Sequence, residues 1–186
     1  MILIGFGNKA QNGKDTAGEA IVNYYNTGRS AQVKHGLSPA TPIVRIYKFA
    51  EALYKECREF HNMVGKDAPL LQRIGHARRQ ENPNYWINKM FDGIFEYTDI
   101  AIITDVRYKN EADEIKARGG FVVNVQRLNA DGTPFISLDR DPNHSSEIDL
   151  DGYNFDYYLK AKTGEMALLG EQAITLIEYI RGLTKR

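Results

Sequence analysis

A chain of 186 residues, 42% hydrophobic and 26% charged, is long enough for one domain with a sizeable core, and its make-up is that of an ordinary globular protein. Lys plus Arg (24) balance Asp plus Glu (24), which disfavours a dedicated nucleic-acid-binding module, whose footprint is a basic excess. The single cysteine, Cys57, excludes an internal disulfide and a multi-cysteine zinc site, and no apolar run nears the roughly 18 residues of a membrane span.

Met1 leads at once into an apolar run, 2–6, with no basic leader or cleavage site, so a cytoplasmic location is the expectation. That run reads as a strand. It breaks into a Gly/Asn-rich turn, and Gly13-Lys14-Asp15-Thr16 then opens an amphipathic helix over 14–25. Strand, turn and helix in this order are the setting of a phosphate-binding loop. Backbone N–H groups of the turn point at a phosphate, the helix dipole favours its charge, and a lysine just inside the helix bridges terminal phosphates. The spacing departs from the usual G-x-x-x-x-G-K followed by Ser or Thr at two places. Asn8 stands at the first glycine, and Asn is the commonest substitute where φ must be positive. Asp15 stands at the hydroxyl position with Thr16 behind it, and an aspartate there holds Mg²⁺ directly or through water. Asn8, Lys9, Ala10, Gln11, Asn12, Gly13, Lys14, Asp15 and Thr16 are therefore the candidate residues for a nucleoside triphosphate. The plainer alternative is a tight turn with Lys14 merely exposed.

Residues 27–42 read as a polar connecting loop, 43–47 as a strand, and 50–64 as a helix with apolar residues at Leu53, Cys57, Phe60 and Val64. Two further helices follow over 70–80 and 85–96. Arg73, Arg78 and Arg79 lie on the first, and helical spacing lets only part of the group face one pocket. One of Arg78 and Arg79 is placed on an acceptor phosphate. Trp86 is either core or a stacking platform for a base, and the core is the commoner place for a lone tryptophan.

The β-branched run 100–104 reads as a strand buried on both faces and ends in Asp105. The ligand crevice of an open parallel sheet lies beyond the carboxyl ends of its strands. Asp105 there either holds water on a phosphate-bound Mg²⁺ or caps a turn or helix. Arg107, two residues on, offers a planar guanidinium to phosphate. A helix over 110–118 is stopped by Gly119-Gly120, and Arg127 stands just past a strand over 121–126, at the same crevice. The polar segment 128–154 is either a lid or a surface connection, and its Arg140 is placed to close over the site. His144 and Glu147 in it lack the companions of a metal site, and no G-x-S-x-G nucleophile elbow occurs. A strand over 155–159 and a helix over 166–181 complete a three-layer α/β/α domain with a mostly parallel five-stranded sheet.

Several pieces together carry a resemblance: Lys9-Ala-Gln-Asn-Gly-Lys-Asp-Thr16, Phe49-Ala-Glu-Ala-Leu53, Leu71-Gln-Arg-Ile-Gly75 with Arg78/Arg79, and Pro83-Asn-Tyr-Trp86. They continue with Thr104-Asp-Val-Arg-Tyr-Lys-Asn-Glu111, Gly119-Gly-Phe-Val-Val123 leading to Arg127, His144-Ser-Ser-Glu147, and the run at Asp156. In order and spacing the chain resembles the phage-type deoxynucleoside monophosphate kinases of the P-loop kinase superfamily. The resemblance implies a P-loop kinase fold over 1–186, with an acceptor-binding helical region at about 50–97 and a lid at about 128–154. It implies transfer of the γ-phosphoryl group of ATP, with Mg²⁺, to a (deoxy)nucleoside 5′-monophosphate in the cytoplasm, the host's if the chain is phage-encoded. By position, the loop residues 8–16 then bind ATP, Lys14, Arg107 and Arg127 are catalytic, and Arg78, Arg79, Trp86, Arg107 and Glu147 bind the acceptor. Asp15 and Asp105 serve the metal. The partners are the two nucleotides, with neither membrane nor nucleic acid, and the 11 Tyr and 8 Phe fit a homodimer interface as well as a core. Asn8 in the loop and the short stretch between Gly75 and Trp86 depart from the family pattern. The rivals are a P-loop kinase for another small phosphorylated acceptor and a nucleotide-binding protein without turnover.

Overall fold

The computed structural model describes residues 1–35, 41–137 and 141–184. In chain order they form β1 (Ile2–Gly7), α1 (Lys14–Lys34), β2 (Val44–Tyr47), α2 (Phe49–Phe60), α3 (Ala68–Glu81) and α4 (Tyr85–Asp92). Then come β3 (Ile100–Val106), α5 (Lys109–Ala117), β4 (Phe121–Leu128), α6 (Ser145–Ile148), β5 (Tyr157–Lys162) and α7 (Met166–Thr184). The five strands pair in parallel in the order β2-β3-β1-β4-β5. This is the α/β class and the fully layered parallel sheet that the alternating apolar runs predict.

Both faces of the sheet are covered, which is why its central strands are continuously apolar. Alternation along each strand sends Ile4, Phe6, Ile102, Val123 and Val125 towards α1 and α7, where they meet Ala17, Ile21, Ala173 and Ile177. The opposite set, Leu3, Ala101, Ile103 and Val122, packs on Phe49, Ile87, Met90, Ala112 and Ile115 of α2, α4 and α5. Each fully buried isoleucine contributes roughly 1.5–3 kcal/mol of transfer free energy. The segment α1 after β1 and the segment α5 after β3 lie on opposite faces, so the chain parts at the carboxyl ends of β1 and β3. A crevice opens there. A third, small cluster of Cys57, Met63 and Leu71 joins α2 to α3 beside it.

Several boundaries differ from the sequence expectation, and β3 and β4 run on to Val106 and Leu128, so Asp105 and Arg127 lie within the strands and not past them. α1 runs to Lys34, through half of the predicted loop, because residues 29–34 hold no helix breaker. Gly28 costs about 1 kcal/mol inside a helix, which is too little to end one already packed on α7. α2 stops at Phe60 rather than at 64, where Asn62 takes a φ of 53° and the N–H groups of His61 and Met63 both donate to the Cys57 carbonyl. Met63 turns inward instead, leaving Phe60 and Val64 at 75% and 96% exposure despite their helical spacing. α4 ends at Asp92, and β5 begins two residues late, with Leu159 and Ala161 facing inward. The segment expected to be a lid carries α6, and a β-bridge joins Leu128 to Pro134. Among the described residues no helix is long and apolar enough to cross a membrane.

Candidate functional site

β1 delivers the chain into the crevice, and the loop that follows is held from beneath. Asn8 takes a φ of 120°, Gln11 one of 56° and Gly13 one of 91°. Asparagine thus fills the first position of the pattern in a positive-φ conformation, as expected. Its amide also donates to Asn124 Oδ1 (3.1 Å) and to the Val125 carbonyl (3.1 Å), which ties the loop to β4. Asn12 is buried, donates to the Ala10 carbonyl (2.9 Å) and accepts from the Arg127 N–H (2.7 Å). Both amides are therefore scaffolding for the loop. Gly13 is required by its φ, and a Cβ there would also lie 2.6 Å from Leu169 Cδ2 and displace that side chain. As the N-cap of α1 it supplies no side-chain acceptor, so the first-turn N–H groups and the positive end of the dipole look into the crevice.

Two cations converge on the loop. Lys14 is only 5% exposed, and its Nζ donates to the carbonyls of Asn8 (2.9 Å) and Lys9 (2.6 Å). Burial, followed by the nearby charge of Arg107, pushes its pKa down to about 7. Arg107, at the end of β3, donates from Nη1 to the same Asn8 carbonyl (3.0 Å) and to Glu147 Oε1 (3.2 Å). The other oxygen of Glu147 accepts the Ala10 N–H at 2.7 Å. Glu147, expected on the acceptor, is thereby placed on the loop after β1, because α6 lies directly over it. Lys9 fastens that helix by donating to the Glu147 carbonyl (2.7 Å) and pairing with Asp151 (2.9 Å). Asp149 accepts the Lys109 N–H (2.6 Å), which holds α6 to α5 as well.

The two expected metal-side acids part company. Asp15 stands at the mouth of the loop, where its Oδ1 accepts from Thr104 Oγ1 (2.7 Å) and meets Lys48 Nζ (2.7 Å). Burial works against its charge, but the bonds from Lys48 and Thr104 outweigh it and hold the carboxyl below the usual aspartate range. Asp105 instead spends both oxygens on α2, accepting the Phe49 N–H and the Ala50 N–H, each at 2.9 Å. Burial raises its pKa in spite of those bonds. The helix-capping alternative holds for Asp105, and the expectation of an open metal ligand is corrected. Glu111 plays the same part for α5, accepting from the N–H groups of Arg107 (2.8 Å) and Tyr108 (3.1 Å). Burial, then the neighbouring Asp105 charge, raises its pKa from the ordinary 4.5 to about 8. Lys48 is a site residue the sequence reading missed, although its place just past β2, at the carboxyl end of a parallel strand, is the signal that finds it.

The structure separates the two arginines expected on the acceptor, Arg78 and Arg79. Arg78 pairs with Glu56 (2.8 Å) and Glu81 (3.1 Å) and lies over the Tyr85 ring, so it joins α2, α3 and α4 instead of a ligand. Trp86 is core, 2% exposed, with its indole N–H on the Gly75 carbonyl (3.3 Å), which corrects its assignment to the acceptor. Arg79 lines a cavity of about 650 Å³ between α2, α3 and the start of α6, held by the Gly75 carbonyl (3.3 Å) and lying 4.7 Å over the Tyr108 ring. The Arg127 guanidinium lies 4.1 Å from the Phe135 ring and donates to Thr163 Oγ1 (2.9 Å), while its backbone N–H supports the loop. Arg140 falls outside the described residues. Among the described residues no group of three or more His, Cys, Asp or Glu could form a metal cage.

No protein-family model matches this chain, and no curated protein matches it. Among solved structures it is similar to an APS kinase of Mycobacterium tuberculosis, a cysteine-to-alanine mutant. The TM-score is 0.45 and the sequence identity 10%, over 97% of this chain and 96% of that one.

Proposed function

We propose that this chain is a P-loop phosphotransferase that moves the γ-phosphoryl group of ATP to a (deoxy)nucleoside 5′-monophosphate. The observation that carries the reading is the convergence of Lys14 and Arg107 on one loop carbonyl, Asn8, at the uncapped start of α1. Two cations and a row of backbone donors there suit the phosphates of a nucleoside triphosphate. The neighbouring cavity, with Arg79 on its wall, has the size of a small-molecule site and supplies the second anion-binding group. The order of motifs along the chain supports the nucleotide acceptor.

Phosphoryl transfer needs positioning and charge stabilisation more than covalent chemistry from the protein. Lys14 would leave the Asn8 and Lys9 carbonyls for the β and γ phosphates. Arg107 reaches from the end of β3 to the same place and would stabilise charge on the transferring group as it passes. Arg79 would fix the acceptor phosphate across the crevice. The residues fit Mg²⁺ arriving with the nucleotide, since that ion keeps several waters and needs only one or two carboxylates. Asp15, with Thr104 and Lys48 on its Oδ1, would hold it through water, and the ion would neutralise charge on the β and γ phosphates.

Chromatographic detection of products tests the reading. Mg-ATP mixed with each common monophosphate should give ADP and a nucleoside diphosphate in equal amounts. ATP binding without products would favour the second reading, a nucleotide binder without turnover. That reading draws on Glu147, which occupies the Ala10 N–H of the loop.

A further inference from the structure

The wall of the acceptor cavity carries a row of polar groups to which nothing in the fold assigns a task. Gln72, His76 and Arg79 all line it. Their spacing of four and three residues places them on one face of α3, one above the other. Arg79 is held in place by Tyr108 and the Gly75 carbonyl. Gln72 and His76 are exposed, and neither side chain has a hydrogen-bond partner among the described residues. Gln72 lies seven residues before Arg79, about 10 Å along the helix at 1.5 Å per residue. Leu53, Leu71 and Tyr54 supply apolar surface to the same cavity.

A phosphate-binding arginine at one end, an imidazole partway along, apolar walls and an unused amide at the other end match one ligand shape. It is a nucleoside monophosphate laid along α3, with its flat base against the apolar wall and its polar edge towards Gln72. We propose that Gln72 and His76 read the base of the acceptor, Gln72 through paired donor and acceptor contacts of its amide. The proposal rests on the kinase reading above and adds to it the residues that set base preference. An amide offers one donor and one acceptor, so it pairs with an edge bearing the complementary two. A carboxylate at the same place offers acceptors only. It would favour guanine, whose ring N–H and exocyclic amino group form two adjacent donors, and would repel a carbonyl edge such as that of thymine.

The experiment measures binding of each deoxynucleoside monophosphate by calorimetry, with 2-deoxyribose 5-phosphate as the baseless probe, and kcat/KM for transfer alongside. It uses the full chain as wild type, Gln72→Ala, Gln72→Glu and His76→Ala, with melting curves to establish folding. Expected are a monophosphate bound at least tenfold more tightly than the baseless probe, loss of that advantage in Gln72→Ala, and its weakening in His76→Ala. Gln72→Glu should shift the dGMP to dTMP ratio at least tenfold towards dGMP. Ratios that stay within twofold in folded Gln72 variants would overturn the base-reading role while leaving transfer intact. Selective monophosphate binding without any transfer would instead overturn the kinase reading, and no monophosphate binding at all would overturn both.

Discussion

Lys14 sits in the fold as a buried cation leaning on its own loop, and its chemistry follows from that position. With its pKa held down to about 7 by burial and Arg107, much of it is neutral above pH 7 in the free protein. A bound triphosphate favours the charged form, so binding must draw in a proton. Apparent ATP affinity should therefore fall as pH rises above about 7. Calorimetry at pH 8 in buffers of different ionisation enthalpy should register proton uptake, and Lys14→Ala should register less. That variant should also keep its fold and lose transfer by roughly 10²–10³-fold, the scale of removing one preorganised donor. Arg78 and Arg79, indistinguishable as neighbours in the sequence, make an opposite pair of predictions. Arg79→Ala should raise the acceptor KM at least tenfold. Arg78→Ala should lower the melting temperature by releasing Glu56 and Tyr85, with the acceptor KM unmoved. Kinetics and melting curves on the two variants separate these outcomes.

At the scale of elements, acids carried on β3 and α5 fasten helix starts. Asp105 closes the first turn of α2, so Asp105→Ala should cost about 1 kcal/mol, the usual worth of a cap. In a chain of this size that is roughly 2–4 °C of melting temperature. The Mg²⁺ concentration needed for half-maximal rate should not change; a raised requirement with an unshifted melt would restore the metal role. Glu111 makes a pH prediction. Its folded pKa, about 8, lies above its ordinary 4.5, so the folded state binds more protons between those values and stability falls as pH rises through them. Denaturant titrations of Glu111→Gln should lose that part of the slope. The strands and the order α/β were legible because both-face burial writes an apolar run into 2–6, 100–104 and 121–126. The end of α2 was not legible, since Phe60 and Val64 keep helical spacing while a backbone turn at Asn62 takes the chain elsewhere. Likewise the loop residues announced themselves by local pattern. The α2 partners of Asp105 lie 55 and 56 positions away, and those of Glu147 lie 40 (Arg107) and 137 (Ala10) positions away, and no local signal encodes them.

For the molecule as a whole, the sheet brings distant short segments together at one crevice: the loop after β1, Lys48 after β2, Arg107 after β3 and α6 across them. A ligand that binds this crevice only in the folded state should stabilise the entire domain, by about 2.7 kcal/mol at a concentration one hundred times its Kd. Thermal shifts with Mg-ATP should follow that dependence in wild type and shrink in Lys14→Ala. The central claim, that the crevice transfers a phosphoryl group between two nucleotides, is tested most directly with γ-labelled ATP and a panel of nucleoside monophosphates. The account predicts that the label appears on the nucleoside diphosphate, one for each ADP formed, and that Lys14→Ala slows its appearance by roughly 10²–10³-fold. Label found only in inorganic phosphate, or left on ATP with every acceptor, would contradict it.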